Sequence, residues 1–171
     1  HAGACRFWRE SLGVTVLASP EAADFVRRGD ENGISLGAAK AAGIYPPDYR
    51  FQECVVDREL REGDVCRAGD CELRVLETPG HCCGSLSYVM NAGNKTYLFS
   101  GDSVFHGGKI LMTNVWDCDY QQYVCTVKKL ANLSVDALLP GHFCISLGGG
   151  QSHIEKAAES LRRMAIPPNI L

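Results

Sequence analysis

Hydrophobic and polar positions alternate most clearly in the middle of the chain. Cys71, Leu73 and Val75 alternate with Glu72 and Arg74, the two-residue period of a half-buried strand. Leu86, Tyr88 and Met90 alternate with Ser85, Ser87 and Val89. A turn over Asn91–Asn94 and a returning run, Lys95–Phe99, complete a predicted hairpin. Helical periodicity takes over further on. Asp119 and Gln122 have the spacing of a capping box, and Tyr120, Tyr123, Val124, Val127, Leu130 and Ala131 then share one face. Ser152 and Glu155 repeat that spacing ahead of Ile154, Ala157, Ala158, Leu161 and Ala165, and Pro167-Pro168 is expected to end the helix.

The first third is less regular. A short helix is predicted over residues 4–12, a strand over 14–18, and a helix capped by Ser19, opened by Pro20 and stopped by Gly29. From Asp30 to Asp64 periodicity is weakest, apart from a small Ala-rich helix over 36–42. That stretch reads as a lid or binding loop, or as a surface insertion. Strands mixed with helices that each carry one apolar face predict sheets covered by helices, in layers.

A length of 171 residues suits one domain. The net charge of −3 and the absence of a long basic run argue against a nucleic-acid partner. No apolar stretch approaches the ~18–20 residues of a membrane span. Nine cysteines, with no Cys-x-x-Cys pair, exclude zinc-ribbon and thioredoxin patterns and are expected to be free thiols in a reducing cytoplasm.

Candidate chemistry sits at three strand ends. Leu73–Thr78 runs into Pro79-Gly80-His81, Thr96–Ser100 into Gly101-Asp102, and Asp136–Leu139 into Pro140-Gly141-His142. Glycine before each polar residue suits a sharp turn or a close approach. A lone histidine is more often a core or capping residue. Two Pro-Gly-His endings with a Gly-Asp between them favour metal ligation.

These residues resemble the metallo-β-lactamase fold superfamily. The resemblance rests on Thr78-Pro79-Gly80-His81, Leu98-Phe99-Ser100-Gly101-Asp102 and Leu138-Leu139-Pro140-Gly141-His142, with His1-Ala2-Gly3-Ala4 similar to the tail of the family's H-x-H-x-D-H-x-G-G signature. It implies a four-layer αβ/βα sandwich, two mixed β-sheets flanked by helices, as a single domain over residues 1–171. That domain is expected to lack its first strands and the start of its signature. By resemblance, His81 binds a first metal, Asp102 bridges two, and His142 and His1 bind the second. Zinc is the expected metal, with iron or manganese as alternatives.

The implied activity is hydrolysis. Water shared by two metals turns acidic near neutral pH and, as hydroxide, attacks the carbonyl of a small thioester, ester or lactone. Aspartate at 102 points towards enzymes resembling glyoxalase II and lactonases, because the family's true β-lactamases usually carry Cys or Ser there. The alternatives are a flavodiiron-like redox protein and an incomplete, non-catalytic scaffold. Cys82 and Cys83, after His81, either pack behind the loop or place a thiol near the metals. His106 either orients substrate, supports a ligand or is structural. His153 is expected to be solvated, and Tyr120 and Tyr123 to be core.

Overall fold

Five strands form one sheet in sequence order: β3 (Val65–Ala68), β4 (Cys71–Glu77), β5 (Leu86–Ala92), β6 (Lys95–Gly101) and β7 (Ala137–Pro140). The structure is a computed structural model and describes residues 2–170. Neighbouring strands are antiparallel except β6 and β7, which are parallel. A parallel pair needs a long crossover. Here it carries α4 (Tyr120–Ala131). The hairpin turn is tighter than the sequence predicts, since Ala92 already pairs with Lys95 and Gly93 supplies a φ of 59°.

The register decides which row is buried. Val89 pairs with Leu98, and Leu98 with Leu138, so these side chains share a face. That face packs with Tyr123, Val127 and Leu130 of α4 and with Ile154, Ala157 and Ala158 of α5 (Gly150–Arg162). The Leu86, Tyr88 and Met90 row stays only half-buried, whereas Ser87 and Val89 are buried. In β4 the alternation breaks. Cys71 is exposed, and consecutive Val75 and Leu76 are both buried.

Of the box predicted at Asp119 only the N-cap half forms, because Asp119 N–H donates to Gly80 O rather than to the Gln122 side chain. The Asp119 carboxylate accepts from Gln122 N–H at 3.0 Å, and the Gln122 amide donates back at 3.3 Å. The box at Ser152 does not form. The helix begins three residues earlier, behind Gly149 at φ 67°, and Ser152 Oγ donates to Gly149 O. The reason is packing. Gly150 and Gln151 N–H groups bond Asp136 O and Val135 O, and a side chain on Gly150 would lie 2.9 Å from the β7 backbone. The sheet, not the local cap, sets this start. The helix also ends at Arg162, ahead of Pro167-Pro168.

The chain divides into two units, His1–Leu60 and Arg61–Leu171. The first holds α1 (Cys5–Leu12), α2 (Pro20–Arg28), α3 (Leu36–Ala41) and a short parallel pair, β1 (Leu17–Ala18) with β2 (Arg58–Glu59). Ser19 and Gly29 cap α2 as expected. The strand predicted over 14–18 shrinks to two residues, because the Asp57 carboxylate takes the Val16 N–H at 2.8 Å in place of a ladder partner. The irregular stretch is built into this unit's core, where Leu36, Phe51, Cys54 and Val56 pack with Ala23 and Val26. Among the described residues no helix is long and apolar enough to cross a membrane.

Candidate metal centre

β4 and β6 both run antiparallel to β5, and β7 is parallel to β6. The C-terminal ends of β4, β6 and β7 therefore lie along one sheet edge, and His81, Asp102 and His142 follow those three ends. Asp102 sits between the imidazoles. Its Oδ2 lies 3.6 Å from His81 Nε2 and 3.5 Å from His142 Nε2. Its side chain is 6% exposed, whereas that of His142 is 51% exposed, so the carboxylate forms the floor and His142 the rim. His1, the fourth expected ligand, lies outside the described residues.

Buried hydroxyls hold the floor. The register of β6 against β7 slips between Phe99 and Gly101, directly before Asp102, and such a slip re-aims the residues beyond it. Ser100 Oγ, freed by the slip, donates to Val104 O at 2.8 Å, and Ser87 Oγ donates to Ser100 O at 3.2 Å. Ser87 Oγ also meets Thr78 Oγ1 at 2.9 Å, linking the Asp102 loop to the start of the His81 loop. Gly141 N–H donates to Gly101 O at 2.8 Å, joining the His142 loop to the same floor.

Gly80 is where a close approach demands glycine. Its φ is 138°, and an added Cβ would lie 2.6 Å from Tyr123 Cα. The Pro79-Gly80 turn thus lies against α4. Thr126 Oγ1 donates to Pro79 O at 2.6 Å, and Asp119 N–H donates to Gly80 O at 2.9 Å. Tyr123 is fully buried and bridges two loops. Its hydroxyl donates to Asp102 O at 2.6 Å and accepts from Leu111 N–H at 3.1 Å. Burial drives the phenol pKa far above its ordinary value of 10, so it stays a donor. Read from sequence, Tyr123 was one more core residue. Its signal was generic: a buried tyrosine hydroxyl must find a partner.

The donor chemistry suits a metal. His81 Nδ1 lies 2.9 Å from Leu111 O. A carbonyl only accepts, so Nδ1 donates to it, and Nε2 is the nitrogen that faces the Asp102 carboxylate. A cation at this place would meet Nε2 and the carboxylate oxygen together, 3.6 Å apart. Imidazole nitrogen and carboxylate oxygen are also the ligand types zinc takes. Among the described residues no group of three or more His, Cys, Asp and Glu closes around one point. The contacts are pairwise, Asp102 with each imidazole.

The other sequence candidates are placed as follows. Cys82 Sγ lies 3.0 Å from Ser85 Oγ, and burial pushes its thiol pKa up, which disfavours thiolate. Cys83 N–H donates to Asp117. His106 is exposed, in a short 3₁₀ turn over His106–Gly108. The expectation of a solvated His153 is wrong. The ring is buried, accepts from Gly107 N–H at 3.0 Å through Nδ1, and meets Ser146 Oγ at 2.7 Å through Nε2. The early start of α5 rotates it inward.

Comparison with known proteins bears on the family and the fold. The metallo-beta-lactamase superfamily profile matches residues 1–142. The chain is similar to hydroxyacylglutathione hydrolase of Chelativorans sp. (strain BNC1), 31% identical over 145 residues that cover 77% of this chain and 51% of that protein. It is similar to acyl-coenzyme A thioesterase MBLAC2 of Gallus gallus, 31% identical over 156 residues, covering 84% of this chain and 52% of that one. The chain thus spans about half the length of these relatives. Among solved structures, a Cronobacter sakazakii metallo-beta-lactamase superposes with a TM-score of 0.69 at 19% identity, over 96% of this chain and 68% of that one. That likeness establishes the layered fold of mixed sheets and flanking helices. With the profile match running through all three strand-end motifs, the chain belongs to the metallo-beta-lactamase superfamily.

Proposed function

We propose that this chain supplies the metal-binding edge of a hydrolase that cleaves a small thioester, ester or lactone. One observation carries the reading: a buried carboxylate, Asp102, lies between two imidazoles at one sheet edge. His81 and Asp102 would hold a first divalent metal, and Asp102, His142 and His1 a second, with zinc the best match to these donors. Bound there, the metals would acidify a water and polarise a carbonyl. Asp102 would keep two cations together by offsetting their charge. The Leu111 carbonyl would keep His81 in the tautomer that presents Nε2. The exposure of His142 leaves that side open to a substrate.

Thioesters are favoured by the sequence relatives, which are a hydroxyacylglutathione hydrolase and an acyl-coenzyme A thioesterase. The β-lactamase among the solved structures is only 19% identical and speaks for the fold. Nine free thiols fit a reducing, cytoplasmic setting.

The test is metal content per chain by elemental analysis, on protein whose N-terminus is verified by mass, followed by a panel of thioesters, esters and lactones. About two equivalents and turnover above background are expected. Fewer than one equivalent, with no turnover after loading with zinc, manganese or iron, would leave the scaffold reading in its place.

A further inference from the structure

Beside the metal edge, three side chains outside the ligand set form a chain of hydrogen bonds. His153 Nε2 lies 2.7 Å from Ser146 Oγ, and Ser146 Oγ lies 3.1 Å from His106 Nδ1. The two imidazole centroids are 4.2 Å apart. His153 and Ser146 are buried, and His106 is exposed.

The direction of the His153 end of this chain follows from one backbone amide. Gly107 N–H points at His153 Nδ1 at 3.0 Å, and an amide N–H only donates. His153 Nδ1 is therefore the unprotonated nitrogen. Burial lowers the His153 pKa, so the ring is neutral and its proton sits on Nε2. That proton goes to Ser146 Oγ. Ser146 Oγ then either accepts from His106 Nδ1 as well or donates its own proton to it. When Ser146 donates, His106 Nδ1 is the accepting nitrogen and the ring hydrogen lies on Nε2, the nitrogen that does not face Ser146.

We propose that Ser146 and His153 fix His106 as an outward hydrogen-bond donor for an oxygen acceptor of the acyl substrate; the inference rests on the hydrolase reading above. The position suits this role. His106 follows Asp102 by four residues, on the loop that leaves the end of β6. The preceding Phe105 ring packs edge-on against Phe143 at 6.1 Å, and Phe143 packs against His142 at 6.3 Å. Ser146 lies on the same loop as His142, pinned to β7 by a reciprocal backbone pair with Leu138 at 2.8 and 2.9 Å. A free imidazole exchanges its proton between two nitrogens and offers either a donor or a lone pair. Locked by Ser146, His106 offers only the donor. It is a positioning device for an oxygen, not a base.

Imidazole nitrogen shifts in the ¹⁵N-histidine-labelled full chain test the tautomer without any need for turnover, with His106→Gln assigning the signal. His106 is expected to be protonated at Nε2 in the native protein and to redistribute towards a mixture in Ser146→Ala. Protonation at Nδ1 in the native protein overturns the proposal, as does an unchanged tautomer in a folded Ser146→Ala. Should that variant fail to fold, the native spectrum decides alone.

The substrate half is read from steady-state hydrolysis. His106→Ala should raise KM about tenfold with kcat nearly unchanged, as loss of one hydrogen bond in binding predicts. His106→Gln, which can present an amide N–H at the place of Nε2, should recover most of it. Equal loss in both variants, or no change in either, overturns the donor role. Absence of turnover by the native protein overturns the hydrolase reading and the substrate role with it, and leaves the tautomer result standing by itself.

Discussion

The Tyr123 hydroxyl donates to the main-chain carbonyl of Asp102 at 2.6 Å, across 21 residues of sequence. The same oxygen accepts Leu111 N–H, and the Leu111 carbonyl takes the proton of His81 Nδ1. One phenol on α4 thereby couples the backbones that present both a carboxylate and an imidazole to the proposed metals. This explains why helix and site loops lie so close that only glycine fits at position 80.

Tyr123→Phe keeps the ring and removes that coupling. Two buried backbone groups lose a partner, so stability should fall by about 1–3 kcal/mol in urea unfolding. Zinc affinity, measured by competition with a chromophoric chelator, should fall ~10–100-fold, the usual effect of losing a group that orients a ligand. A loss of stability with unaltered zinc affinity would reduce Tyr123 to a core residue.

Gly80→Ala should be among the most damaging small substitutions. It forces an alanine to φ 138° and drives a methyl into the α4 backbone. Strain and overpacking together cost about 2–6 kcal/mol. Gly93→Ala is the control, since φ is also positive there at 59° but nothing lies within 4 Å. It should cost only ~1–2 kcal/mol. Equal unfolding midpoints for the two variants would contradict the contact.

Acid should weaken the fold through His153. Burial holds its pKa below the ordinary 6.5, with His106 and Lys156 adding like charge nearby. The unfolded chain therefore binds this proton at higher pH than the folded chain does. The stabilisation is complete above pH 6.5 and is lost as pH falls from there through the folded-state pKa. A melting-temperature profile should show this acid limb in the native protein and a flatter one in His153→Gln. Parallel profiles would remove His153 from the account.

Asp102→Asn retains shape and removes the charge. Folding should survive, because the Tyr123 contact is to the main chain. Metal content should fall below one equivalent. Hydrolysis should fall by more than the ~10–100-fold typical of losing a supporting residue. Full metal content in this variant would argue against Asp102 as a ligand.

Local signals in the sequence located the strand ends and therefore the site. Proline fixes φ, glycine frees it, and both interrupt periodic runs, so Pro79-Gly80, Gly101 and Pro140-Gly141 mark where β4, β6 and β7 release the chain. The Ser19 and Asp119 caps were legible for the same reason, since a cap involves residues two or three apart. Through the family resemblance, the order of these motifs implied the fold and named His81, Asp102 and His142 as candidate ligands.

Tertiary structure decided what depends on partners far along the chain. The Ser152 box had the right spacing, yet the bonds of Gly150 and Gln151 to the segment entering β7 began α5 earlier and carried His153 inward. Tyr123 occupied the expected apolar face, but Asp102 and Leu111 became its partners only when α4 packed beneath the site. The ring contacts of His81 and His106 belong to the same class. Each joins the ring to an oxygen 30 to 40 residues away, Leu111 O for one and Ser146 Oγ for the other. Periodicity records which side of an element is apolar. It does not record which buried polar atom will stand opposite, because that is fixed only when sheet and helices close on each other.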